Sequence, residues 1–237
     1  MFSQGNVLLR FRGVLGVPVE IDQSLLLFLG FLFVAIGLLG GNMEYAAVLV
    51  GMLIAAVYLH ELGHAAASLH QGVPVSRIVL HGGGGLCYHG HSEPAQSVII
   101  IAGGPAVNLV LWLTAPVIGE LVLDMGMPAG SYGASAAPFA SSTYTIASYI
   151  TFFGEVNKWL FIFNMIPVAP LDGGRLLFLA LWYKLSLDLA TRLSGLIGTI
   201  IAVLWWPGAI LLYMKLGFIL FFFPSISENW RRFRNGE

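Results

Sequence analysis

Tyr58-Leu59-His60-Glu61-Leu62-Gly63-His64-Ala65 lies inside an otherwise apolar run and reads H-E-x-x-H. On a helix, residues four apart share a face, so the imidazoles of His60 and His64 can reach one metal ion. Glu61 leans toward the same side, where it can take a proton from an attacking water. A catalytic zinc site wants a third protein ligand and one open position, so the expectation is one Zn2+ per chain. So short a pattern also arises by chance, but its location argues otherwise. Ionisable side chains inside a membrane segment cost several kcal/mol and mark function by default.

Around that stretch, 57% of the residues are hydrophobic and 10% charged, and the mean hydropathy is +0.84. A water-soluble chain carries about 25% charged residues. The composition therefore predicts an all-α, multi-pass membrane protein occupying 1–237 as a single domain in the lipid bilayer. There is room for about six spans of roughly 20 residues. A net charge of −1 offers nothing to nucleic acid. One cysteine, Cys87, excludes an internal disulfide. Arg10 and Arg12 before an apolar stretch look like the start of a signal peptide. No small-residue cleavage site follows, so that stretch is read as a retained first span.

The expected spans are about 23–39, 45–69, 97–118, 144–167, 190–206 and 208–223, the last two divided by a turn at Trp205-Trp206-Pro207-Gly208. Val17-Pro18-Val19-Glu20-Ile21 suggests a short strand at the membrane surface. Residues 71–95 are too polar and Gly-rich to span. They read as a β hairpin of 75–80 and 86–88 reversing at Gly82-Gly83-Gly84-Gly85. Gly103 and Gly104 in the third span permit a close helix approach. The fourth span breaks at Asn164-Met165-Ile166-Pro167-Val168-Ala169-Pro170-Leu171-Asp172-Gly173-Gly174, since two prolines and two glycines cannot continue a helix. Irregular backbone at that depth must be buried or line a wet cavity. Asp172, in the break, is the best third ligand; helix N-cap is its alternative role, and both can hold.

Taken together, H60-E-L-G-H64, G104-P-A-V-N108 and N164-M-I-P-V-A-P-L-D172-G-G resemble the site-2 protease family of intramembrane zinc metalloproteases. The resemblance covers nearly the whole chain. It implies that His60, His64 and Asp172 hold zinc, that Glu61 is the general base, and that Asn108 and Asn164 sit near the metal. Asn164 is the favoured oxyanion donor; Asn108 is either near-metal or an interhelical hydrogen bond. The resemblance further implies hydrolysis of peptide bonds in or near transmembrane segments of single-span proteins, as in regulated intramembrane proteolysis. The 71–95 hairpin, on the cytoplasmic side, would then pair with an unwound substrate segment. The 119–143 loop is too short for the PDZ domain of many relatives. Only thirteen residues follow Pro224, too few for CBS domains, so a compact form is expected.

Two non-protease readings stand beside this: a catalytically silent binder of membrane segments, and a small metal-ion transporter. An intact Glu61 argues against both, because neither needs a base between the histidines. His70, His81, His89 and His91 with Cys87 lack ligand spacing and read as loop residues. Glu155 and Lys158 read as a mutual i, i+3 pair, and Lys215 is undecided.

Arg10, Arg12, Arg77, Lys184, Arg192, Arg231, Arg232 and Arg234 all fall on one side of the six-span layout, while the opposite loops carry no Lys or Arg. The positive-inside rule makes that side cytoplasmic, with both termini there and the protein in the cell membrane. Reporter fusions after residues 95, 187 and 237 are expected to report cytoplasm, and one after 130 the outside. A cytoplasmic signal at 130 would overturn the layout.

Overall fold

The computed structural model describes residues 6–126, 137–216 and 224–236. Its elements run β1 (Val7–Arg12), β2 (Pro18–Asp22), α1 (Gln23–Leu39), α2 (Met43–His70), β3 (Val75–His81), β4 (Gly84–His89), α3 (Pro94–Gly126), α4 (Ala137–Asn164), α5 (Asp172–Trp182), α6 (Leu187–Leu216) and α7 (Ile226–Asn235). Among the described residues, Met43–His70, Pro94–Met125 and Leu187–Leu211 are long and apolar enough to cross a membrane, and Gln23–Leu38 is a shorter apolar helix. Leu26, Leu27, Phe31, Val110, Leu113 and Leu204 are exposed on these helices, as expected where lipid replaces water as solvent.

The strands form one sheet in the order β1-β2-β3-β4. β1 pairs antiparallel with β2, β2 parallel with β3, and β3 antiparallel with β4. The molecule is thus not purely helical: the expected hairpin is half of a four-stranded sheet completed by the N-terminal residues. Val7–Arg12 alternates only weakly, so β1 owes its place to β2 rather than to its own pattern. Val19 and Ile78 sit opposite one another and are fully buried. They pack with Leu25 and Leu29 of α1, Leu80 of β3 and Ala65 of α2. The sheet is therefore seated on the motif helix one residue beyond His64. Glu20, buried on β2, is flanked by Arg10 at 2.5 Å and Arg77 at 3.4 Å.

Several expected boundaries move. α6 continues through Pro207, replacing the separate spans at 190–206 and 208–223; residues 217–223 lie outside the described residues. Apolar helices tolerate an internal proline when neighbours and local adjustment satisfy the freed carbonyl. The same tolerance applies at Pro105 and Pro116 of α3. Trp205 and Trp206 consequently belong to a helix rather than a turn. The third and fourth helices are also longer than expected at their facing ends, reaching Gly126 and starting at Ala137, which shortens the 119–143 loop. Residues 165–171 carry no helix and link α4 to α5.

α2 and α3 cross with almost no side chain between them. A Cβ on Gly103 would lie 2.5 Å from the Gly63 carbonyl oxygen and 2.8 Å from Ala67 Cβ. The small residues do what such residues do between membrane helices: they let backbones touch. A cavity of about 470 Å3 is bordered by His89 of β4, Ser97 of α3, Arg175 of α5, Thr191 of α6 and Arg232 of α7. The sheet, the starts of α3, α5 and α6 and the end of α7 therefore gather at one end of the molecule.

Gly103→Val should destabilise the protein by about 1–3 kcal/mol, the usual cost of overpacking. Gly51→Ala, where an added Cβ meets nothing within 4 Å, should change stability by no more than about 1 kcal/mol. Equal thermal unfolding of the two variants in detergent would contradict the close crossing.

Candidate metal centre

The last third of α2 carries His60, Glu61 and His64, all buried, as are Gly63 and Ala65 beside them. The Nε2 atoms of His60 and His64 are 3.1 Å apart. Asp172 Oδ2 lies 3.1 Å from the first and 3.3 Å from the second. Three donors at these separations match one face of a tetrahedron about a small cation, where ligands at about 2.0–2.2 Å stand roughly 3.3 Å apart. A Cβ on Gly104 would fall 2.6 Å from His64 Cε1 and 2.7 Å from His60 Nε2, so glycine alone leaves both rings their places.

Hydrogen bonds assign the tautomers. Asn157 Nδ2 donates to the Phe153 carbonyl at 2.8 Å, which can only accept. Asn157 Oδ1 therefore accepts from Asn108 Nδ2, also at 2.8 Å. Asn108 Oδ1 is then left facing His60 Nδ1 at 2.5 Å, and the imidazole must donate. His64 Nδ1 meets the Ile100 carbonyl at 2.8 Å and must also carry its proton; that contact takes precedence over the longer 3.3 Å approach of the Gly104 N–H. In the neutral imidazoles that a metal ion requires, both Nε2 atoms then turn lone pairs toward a carboxylate oxygen. Such an arrangement repels itself without a cation at its centre, and the donor set of two imidazoles and a carboxylate suits zinc.

Glu61 is buried, and its carboxylate lies within 4.8 Å of the ligand atoms of both histidines. On its other side is Gly85 of β4: a Cβ there would fall 2.6 Å from Glu61 Oε1. The glycine run thus does more than reverse the hairpin, because its last member makes room for the glutamate.

Asp172 is the first residue of α5, and its carboxylate turns to the imidazoles; Leu171 is the N-cap, with no side-chain cap bond. Gly173 and Gly174 allow this placement. A Cβ on Gly174 would lie 2.7 Å from Ala169 N, and one on Gly173 2.6 Å from the Ile166 carbonyl oxygen. Asn108 is not among the donors that face one another but stands behind His60, joining α3 to α2 and α4. Asn164 ends α4 and donates to the Leu160 carbonyl at 3.0 Å. It makes no hydrogen bond to the three converging donors. Asn157 escaped the sequence reading, although an asparagine within an apolar helix is the signal that singled out Asn108. The Glu155–Lys158 pair closes at 2.6 Å. Among the described residues, His70, His81, His89, His91 and Cys87 form no further metal cluster. Cys87 is half-buried on β4, which pushes its thiol up to about 12.

A membrane-embedded H-E-x-x-H helix facing a distant aspartate defines a class of metallopeptidase site, and comparisons with known proteins place the chain within it. Residues 48–205 match the model of peptidase family M50, and the chain belongs to that family. A protein of Methanocaldococcus jannaschii named as a zinc metalloprotease is 28% identical over 200 residues, covering 84% of this chain and 53% of the relative. A Synechocystis sp. protein named as a candidate zinc metalloprotease is 30% identical over 192 residues, covering 76% and 45%. The chain thus spans about half the length of these relatives. The solved site-2 protease from Methanocaldococcus jannaschii shares the fold with a TM-score of 0.58 at 24% identity, covering 95% of this chain and 91% of that one.

Asn108→Ala should weaken metal binding about 10–100-fold, the usual effect of losing a hydrogen-bond partner behind a ligating histidine. Chelator competition in detergent measures it; an unchanged affinity would show that Asn108 does not orient His60.

Proposed function

We propose that the protein is an intramembrane zinc metalloprotease that hydrolyses peptide bonds in or near the transmembrane segments of single-span proteins. The observation that carries this reading is the convergence of His60 Nε2, His64 Nε2 and Asp172 Oδ2 beside a buried glutamate. His60, His64 and Asp172 are assigned as the ligands of one Zn2+. The bound ion would supply a Lewis acid that acidifies water and polarises a carbonyl.

Glu61 takes the proton of the attacking water and returns it to the leaving amine. Asn108 holds His60 in the tautomer that presents Nε2. Asn164 has a second amide hydrogen beyond the one given to Leu160, and it is assigned as the donor to the developing oxyanion. Among the described residues β4 is an edge strand, packed against Glu61 through Gly85. Its free edge suits an extended substrate backbone, and pairing there would hold a peptide open beside the base. A helical segment must unwind first, because its amides are bonded within its own ladder. The basic residues of the sheet and of α6 and α7 support a cytoplasmic assignment for that end and for both termini, in a cell-membrane protein.

Glu61→Gln keeps the side chain's shape but cannot accept a proton. It should retain zinc and lose about 10²–10⁴-fold or more in cleavage rate. Asp172→Asn should instead lower zinc affinity, since an amide is the poorer ligand. The measurement is cleavage of a model single-span substrate in liposomes alongside elemental zinc content. Wild-type cleavage by Glu61→Gln would sink the mechanism.

A further inference from the structure

Asn229, in the middle of α7, is 1% exposed. Its carboxamide meets the backbone of Ala169 twice: the Ala169 N–H donates to Oδ1 at 3.2 Å, and Nδ2 donates to the Ala169 carbonyl at 3.0 Å. The other Nδ2 hydrogen goes to the Ser225 carbonyl at 2.8 Å. This double bond pattern is one rung of a β ladder, made by a side chain to a segment with no secondary structure of its own. Only a carboxamide supplies both halves; an aspartate could accept but not donate.

The approach is built into α6. A Cβ on Gly198 would collide with the Asn229 carboxamide, and one on Gly195 would lie 2.8 Å from the Asn229 carbonyl oxygen. α7 also has anchors of its own. Ser225 caps it at Glu228 N, and Arg192 donates to the carbonyls of Phe233 and Arg234 at 3.4 and 2.8 Å. The helix therefore has reason to stay docked when Asn229 is changed.

Ala169 belongs to the link between Asn164 and Asp172, and both Val168 and Ala169 are buried. Through Gly174 the first turn of α5 rests on the backbone of Val168 and Ala169. A shift at Ala169 is thus passed to the turn that begins with Asp172. We propose that Asn229 is a positioning residue: by pinning Ala169, α7 sets the reach of the Asp172 carboxylate toward His60 and His64. This rests on the assignment of Asp172 as a metal ligand.

The test uses the full chain in detergent, with Asn229→Ala removing the carboxamide and Gly198→Ala displacing it from the α6 side. Trp230→Ala, an exposed neighbour on α7, is the control. Zinc affinity is read by chelator competition, and amide hydrogen exchange across 165–172 is read in zinc-free protein. Both variants should show faster exchange at Ala169 and zinc binding weakened about 10–100-fold, as expected for a group that orients a ligand. Their cleavage activity should fall at limiting zinc and recover when zinc is saturating, a recovery that general unfolding would not give. Trp230→Ala should match wild type. Wild-type zinc affinity in both variants, or unchanged exchange at Ala169, overturns the proposal. Asp172→Asn run in parallel keeps the premise separate: undiminished affinity there removes the ligand assignment itself, whereas weakened affinity beside unaffected Asn229 and Gly198 variants refutes only the pin.

Discussion

The backbones of α2 and α3 touch at Gly63 and Gly103, and the metal centre depends on that contact. It sets the rotation of the two helices, so that Gly104 lies under both imidazoles, Ile100 presents its carbonyl to His64 and Asn108 reaches His60. Any side chain at the crossing would separate all three at once. The apolar helices supply no hydrophobic drive toward each other within lipid, so close packing and the buried hydrogen bonds must hold them.

Those hydrogen bonds run in one direction. From His60 the proton-donating order passes to Asn108, from Asn108 to Asn157, and from Asn157 to the Phe153 carbonyl. Each buried polar atom in the series is satisfied, as a low-dielectric surrounding requires. The series ties α2, α3 and α4 together and fixes which nitrogen of His60 is free. The atoms that tie the helices together are thus also the ones that orient the His60 ring.

Much of this was legible in the residues. The spacing of His60 and His64 places them on one face of any helix, and the Gly-Gly at 103–104 in an apolar stretch announces a close neighbour. Val17 to Ile21 and the Gly-rich reversal were readable as strands because alternation and turn chemistry are local. Other features were not local. β1 pairs because β2 is there, and its own pattern is weak. Pro207 reads as a stop in water but not within an apolar helix, where the missing hydrogen bond is absorbed by its surroundings. Asn157 and Asn229 carry no motif; their importance lies in what sits 49 and 60 residues away. Gly85 reads as a turn residue, because no sequence rule shows that Glu61 packs against it.

The parallel pairing of β2 with β3 has a consequence for how the chain is made. β2 is finished before α1 begins, and β3 starts only after α2 has ended. The two strands can meet only once both helices have emerged and folded back as an antiparallel pair, with the start of α1 level with the end of α2. Val19 and Ile78 then close over Leu25, Leu29 and Ala65. Sheet closure is in this sense a mechanical check on insertion. A chain in which one of the first two helices failed to cross, or sat at the wrong depth, would leave β2 stranded, its buried face bare, and Glu61 without the Gly85 wall beside it.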